Sequence, residues 1–124
     1  MRPLLAATSL ACASCTPPHY EGLAVQLHDV PGKSSTDVIV TPERIELPAG
    51  LALVLSLQPR DSDGDPYAFT DVEVIVEDPT IVTLLPTENT WEYLLVGATV
   101  GMTCIAVSIR DDEVECLPVN VLDR

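Results

Sequence analysis

Aromatic residues are scarce in this 124-residue chain: one Trp, three Tyr and one Phe, 4% of the total. With 47% of residues hydrophobic and so few of them rings, any core has to be aliphatic. Histidine is rarer still, and both copies, His19 and His28, precede the region with regular patterning. No serine there has an imidazole to activate it, and none sits in a Gly-flanked elbow, which argues against triad chemistry. Basic residues are few as well: six Lys and Arg stand against 19 Asp and Glu, for a net charge of −13. A surface of that sign repels phosphate backbones and anionic headgroups, so nucleic acid is set aside as a partner. Long apolar runs are missing, and none approaches the ~20 residues of a membrane-spanning helix. Helical periodicity is missing too, so helix content should be close to nil.

What is present divides the chain in three. A basic start, Met1-Arg2-Pro3, leads into an apolar run, Leu4 to Ala11, that ends in small residues before Cys12. This has the form of an export signal. Ser9-Leu10-Ala11-Cys12 further resembles the lipobox of bacterial lipoproteins, with Leu10 one place nearer the cysteine than that pattern prefers. The resemblance implies lipid attachment at Cys12, with Cys15 the second candidate and plain cleavage the competing outcome. Thr16-Pro17-Pro18 and Pro31-Gly32-Lys33-Ser34-Ser35 are rich in breakers, as a linker would be. Residues 1–12 are therefore expected as leader, 13–36 as flexible tether and 37–124 as one folded domain. Within the tether, Leu23 to Leu27 has the composition of an extra strand. Charges in residues 1–36 cancel (Arg2 and Lys33 against Glu21 and Asp29), so the imbalance belongs to the domain.

Residues 37–124 read as short strands between Pro, Gly and Asp punctuation. Val38 to Val40, stopped by Pro42, and then Ile45 and Leu47 make a broken first strand. Leu51, Leu53, Leu55 and Leu57 recur at period two and place four leucines on one face. Val72, Val74 and Val76 alternate with acids, Ile81 to Leu85 and Trp91 to Val96 give two more strands, and Ile105, Val107 and Ile109 another. A turn at 111–113 precedes Leu117, Val119 and Val121. Six or seven strands at this spacing predict an all-β antiparallel sandwich.

The order of these elements resembles the bacterial Ig-like domain of group 2. The resemblance runs over Val40-Thr41-Pro42, Leu47-Pro48-Ala49-Gly50, Asp63-Gly64-Asp65, Asp78-Pro79-Thr80-Ile81-Val82, Gly101-Met102-Thr103-Cys104-Ile105 and Cys116-Leu117-Pro118-Val119-Asn120-Val121. It implies an Ig-like antiparallel β-sandwich of about seven strands and a place in surface or adhesion proteins. These are fold signatures, and none marks a binding residue. The Trp common before the Asp-Pro turn is replaced by Val74 or Ile75, and the second strand carries no cysteine.

Asp61, Asp63 and Asp65 with Gly64 resemble the first half of a calcium loop, although the twelfth position is Val72, between Asp71 and Glu73. An acidic turn of ordinary conformational origin is the alternative. Calcium is the sole cofactor suggested. Cys104 and Cys116 share an outer face, and export permits a disulfide. A turn centred near Asp112 would leave them roughly 10 Å apart, so the bridge needs a bulge near Pro118 and stays open. Trp91 and Tyr93 share parity, and in a core short of rings they are expected to fill it rather than stack a sugar. His19 and His28 are expected in solvent, without partners. The remaining acids fall in turns and on outer faces, where they should ionise, which disfavours a carboxylate-pair hydrolase.

These features point to a non-enzymatic cell-envelope lipoprotein, outer-membrane or cell-surface. It would carry one Ig-like domain for contact with a surface protein or glycan and touch the membrane only through its lipid. A calcium-dependent module using Asp61 to Asp65 is the alternative, and an envelope hydrolase or inhibitor a distant third.

Overall fold

The computed structural model describes residues 19–31, 38–67 and 72–123. The leader with Cys12 and Cys15, and Asp71, lie outside the described residues. Nine strands and no helix are found among those described: β1 (Tyr20–Asp29), β2 (Ile39–Val40), β3 (Ile45–Pro48), β4 (Ala52–Asp61), β5 (Val72–Val76), β6 (Val82–Pro86), β7 (Glu92–Gly97), β8 (Gly101–Ile109) and β9 (Asp112–Leu122).

They form a four-stranded sheet, β1-β4-β7-β6, and a five-stranded sheet, β2-β3-β9-β8-β5. Taking β1, β4, β5, β6, β7, β8 and β9 as A to G reproduces the A-B-E-D and C-F-G sheets of an immunoglobulin sandwich. The expected all-β, Ig-like sandwich is what the chain forms. Two details differ. The pairing is mixed, because β3 runs parallel to β9 with Ile45 opposite Val119 and Leu47 opposite Val121. The count is nine because residues 20–29 add a strand and the domain's first strand breaks at Pro42: β2 and β3 make a small hairpin whose turn is held by the Thr41 hydroxyl, accepting from the Arg44 amide at 3.1 Å.

The alternation in the sequence maps onto the interior. Leu53, Leu55, Leu57, Ile45, Leu47, Ile105, Val107, Val119 and Leu95 are fully or almost fully excluded from solvent, and Leu51, Leu117 and Val121 nearly so. Tyr93 packs against this cluster, but Trp91 is not part of it. The sheets approach closely at Gly97, where an added Cβ would lie 3.1 Å from the Pro48 carbonyl oxygen and 3.2 Å from Leu47. Glycine there lets β7 end against the β3–β4 turn.

The expected tether is corrected over much of its length. Residues 20–29 are a ten-residue strand at the edge of the four-stranded sheet, in register with β4 from Tyr20 opposite Asp61 to Asp29 opposite Val54. The strand suggested by Leu23 to Leu27 is longer than the apolar run because β4 supplies hydrogen-bond partners to polar residues on either side. Leu23 and Val30 join the core.

A cross-sheet contact closes this end. The Tyr20 hydroxyl donates to Glu115 Oε1 on β9 at 2.5 Å, and its ring meets Tyr67 edge-on with centroids 6.1 Å apart. Burial first, then the Glu115 carboxylate, holds the phenol protonated far above its ordinary range. An unfolded tyrosine ionises near pH ~10. The contact's stabilisation is therefore complete below that pH and is lost as the pH rises beyond it. Tyr20→Phe should lower urea stability at neutral pH by about 1–2 kcal/mol. It should also make the fall in stability above pH ~10 shallower than in the parent. Superimposable pH profiles would show that the contact carries no such linkage.

Candidate functional site

The loop after β4 is built around Asp61, whose side chain is 8% exposed. Its Oδ1 accepts from the Asp63 amide at 2.9 Å and the Asp65 amide at 3.1 Å, while its own amide donates to the Asp65 carbonyl at 2.9 Å. Gly64 takes φ +82°, a conformation that costs glycine little. Asp61 thus caps its own turn, and Asp63 and Asp65 face solvent. The three carboxylates expected to converge on calcium are not gathered. Among the described residues, the one set of three such ligand groups with donor atoms within 4.8 Å is Glu77, Cys104 and Cys116, and its two sulfurs are bonded to each other.

That disulfide resolves the open question of register. The turn is Arg110–Asp111, not 111–113, and both residues have positive φ, 53° and 70°, as a two-residue hairpin turn of type I′ demands. The bulge lies at Val114, between the pairs Val107–Glu115 and Ser108–Glu113. Cys104 then faces Pro118, and Cys116 faces Ala106. The cysteines are diagonal neighbours on one face with Cα atoms 5.5 Å apart, within bonding range.

Among the described residues, one carboxyl is pushed up. Glu113 lies against Glu77, and the hydrogen bond between them, with a lesser contribution from repulsion, pushes its carboxyl above the usual range. Both residues are exposed, unlike the enclosed setting a general acid needs. His19 has a partner after all, with Nε2 3.4 Å from Glu21, and both side chains are largely exposed.

Trp91 is the main departure from expectation. It precedes β7 rather than lying within it, has φ +62°, and passes its carbonyl to the Leu57 amide at 2.9 Å. The turn beneath it is knitted together: Glu92 Oε1 accepts from the Thr87 hydroxyl at 2.8 Å and from Asn89 Nδ2 at 2.9 Å. Those two bonds, Asn89 first, hold the Glu92 carboxyl below its usual range. The change of φ at residue 91 breaks the parity shared with Tyr93. Tyr93 packs on the core, whereas Trp91 borders the outer face of the four-stranded sheet.

On that face β4 presents its even-numbered side chains, because the odd ones are spent in the core. Gln26 lies opposite Ser56 and Ala24 opposite Gln58. With Arg60, Thr90 and Trp91 they line a shallow cavity of about 230 Å³. Arg60 also lines a wider cleft of about 370 Å³ beside the Asp61 loop. Its Nη1 donates to the Gly64 carbonyl at 2.7 Å, while its Nε is buried without a hydrogen-bond partner. Period-two alternation pointed outward for Ser56, Gln58 and Arg60. Their union with Trp91 depends on the turn at 87–91, for which no sequence pattern existed.

No family model matches the chain, and no curated protein matches it. Among solved structures it is similar to domains 5–6 of the S-layer protein SbsC, at 21% identity over 86% of this chain with a TM-score of 0.54. Domains 4 and 5 of the same protein give 20% identity over 86% of this chain and a TM-score of 0.51. The chain spans 45% and 54% of those two chains, about half of each. The likeness is one of fold.

Two outcomes are expected from this geometry. Asp61→Ala should cost about 1–2 kcal/mol in urea unfolding, and Asp61→Asn less than half of that, since the amide oxygen still accepts both backbone bonds. Equal losses would mean that the charge, not the cap, is what matters. Reducing the Cys104–Cys116 bridge should remove up to about 3 kcal/mol, given the short loop it closes. Alkylation of both thiols in unreduced, unfolded protein would show that the bridge does not form.

Proposed function

We propose that this chain is an exported, non-catalytic cell-surface module that works by contact with a surface protein or glycan and is held to a membrane by lipid on Cys12. The observation that carries this reading is the two-sheet likeness to S-layer protein domains, which spans 86% of the chain. Three features support it. The strands resemble bacterial Ig-like domains at six motif positions, the paired cysteines suit an oxidising compartment, and the acidic surface favours solubility and resists edge pairing. His19 is largely exposed and pairs with Glu21, and the hydrogen-bonded acid pair Glu113 and Glu77 is exposed. Those facts suit a contact domain better than a hydrolase. A calcium-dependent module has less support, since Asp61 is committed to its own turn.

Anchoring and placement are tested together. Radiolabelled palmitate should enter the full chain in a globomycin-sensitive manner, with Cys12→Ala abolishing the label and Cys15→Ala leaving it. External protease on intact cells should degrade the protein. No label in the parent would sink the lipid anchor, and full protection from protease would sink surface exposure.

A further inference from the structure

The geometry points to a saccharide-binding groove on the outer face of the four-stranded sheet, in which Trp91 stacks one pyranose ring and Gln26, Gln58, Ser56 and Arg60 hydrogen-bond its hydroxyls. This deepens the contact function proposed above by naming a site and a ligand class, and rests on that reading for its biological setting.

The chemistry of the lining selects the ligand. Each glutamine amide offers donors and an acceptor, and the Ser56 hydroxyl does both, which matches sugar hydroxyls, themselves donors and acceptors. Arg60 adds donors only, and its buried Nε lacks a protein partner. No Asp or Glu lines the cavity, although the chain carries 19 of them. A cation site would require acids, and an apolar peptide would require an apolar pocket. What remains is a polar floor beside one aromatic plane, the combination that takes the polar edge and C–H face of a sugar ring. Thr90 completes the rim.

The placement of Trp91 is a second, independent observation. A bulky residue at φ +62° sits in a region that costs of order 1–3 kcal/mol, and such conformations persist only when their surroundings enforce them. Here the Thr87, Asn89 and Glu92 bonds and the backbone bond to Leu57 do so. Their effect is to withhold the single Trp of an aromatic-poor chain from the core and set it beside the polar row. The backbone that carries the ring is thus set before any ligand arrives, which reduces the ordering cost of binding.

Size limits the occupant. A cavity of about 230 Å³ is below the ~300–1,000 Å³ of sites for drug-sized ligands, so it accommodates one ring of a longer glycan. Affinity for a single ring should be weak, with Kd on the order of 1 mM.

The test uses the oxidised, ¹⁵N-labelled full chain titrated with neutral and uronate-containing oligosaccharides, and with a neutral peptide of Gln, Ser and Leu as a separate arm. Saturable shifts are expected at Gln26, Ser56, Gln58, Thr90 and the Trp91 indole N–H for at least one saccharide. A uronate bound more tightly than its neutral counterpart would identify Arg60 as the recognising cation. Trp91→Asn keeps a residue that tolerates left-handed backbone but removes the ring, and Gln58→Ala removes one amide. Each should weaken binding about fivefold or more with an otherwise preserved amide spectrum. The inference is overturned if no saccharide saturates these resonances, if the shifts map elsewhere, if Gln58→Ala binds as tightly as the parent, or if the peptide alone occupies the groove. Protease accessibility on cells is read separately, so a surface protein that ignores sugars would defeat only this inference.

Discussion

The two sheets meet mainly through aliphatic side chains, and the alternation that supplies them governs everything on the outside. Leu53, Leu55 and Leu57 of β4 are entirely buried against Ile45, Leu47, Ile105 and Val119 from the opposite sheet. A strand's side chains alternate with a period of two, so committing the odd residues of β4 inward commits Ser56, Gln58 and Arg60 outward. A one-residue slip would exchange the two sets and expose the leucines. The interior therefore fixes register, and register in turn fixes which polar groups form the groove.

The ends of the sandwich are secured differently. At one end, Tyr20 on β1 reaches Glu115 on β9, joining the first strand of one sheet to the last strand of the other. In the five-stranded sheet, the parallel pairing of β3 with β9 sets residues 45–48 beside the end of the last strand. The outer face of that sheet is tied by the diagonal Cys104–Cys116 bridge, with Cys116 two residues beyond the Val114 bulge. Exposed Ile75, Met102 and Val114 lie on the strands around it. The four-stranded sheet differs in kind, with amides, a hydroxyl and a guanidinium on its outer face. Of the two surfaces, the second has the more specific hydrogen-bonding capacity.

Much of this was legible before folding. Leucines at 51, 53, 55 and 57, valines at 119 and 121, and Ile105 with Val107 announced their faces by spacing, and all are buried. The sandwich followed from strand number and turn punctuation. Less legible were the features governed by single backbone dihedrals. The positive φ of Arg110 and Asp111 moved the hairpin centre and brought the cysteines within reach, and the positive φ of Trp91 moved its ring off the core. The acid spacing at 61, 63 and 65 suggested a cation, yet the buried Asp61 carboxylate turned to the Asp63 and Asp65 amides of its own loop.

Taken alone, the sequence determined what depends on local alternation: an all-β chain, an aliphatic core, and the polar composition of each outward face. Tertiary structure decided which outward residues are neighbours. It made residues 20–29 a strand by giving their backbone a partner in β4, joined Cys104 to Cys116 through a bulge, and set Trp91 beside Gln58 and Arg60. The reason is physical. Alternation is a property of one strand, whereas register, bulges and left-handed turns are settled by hydrogen bonds between segments far apart in the chain.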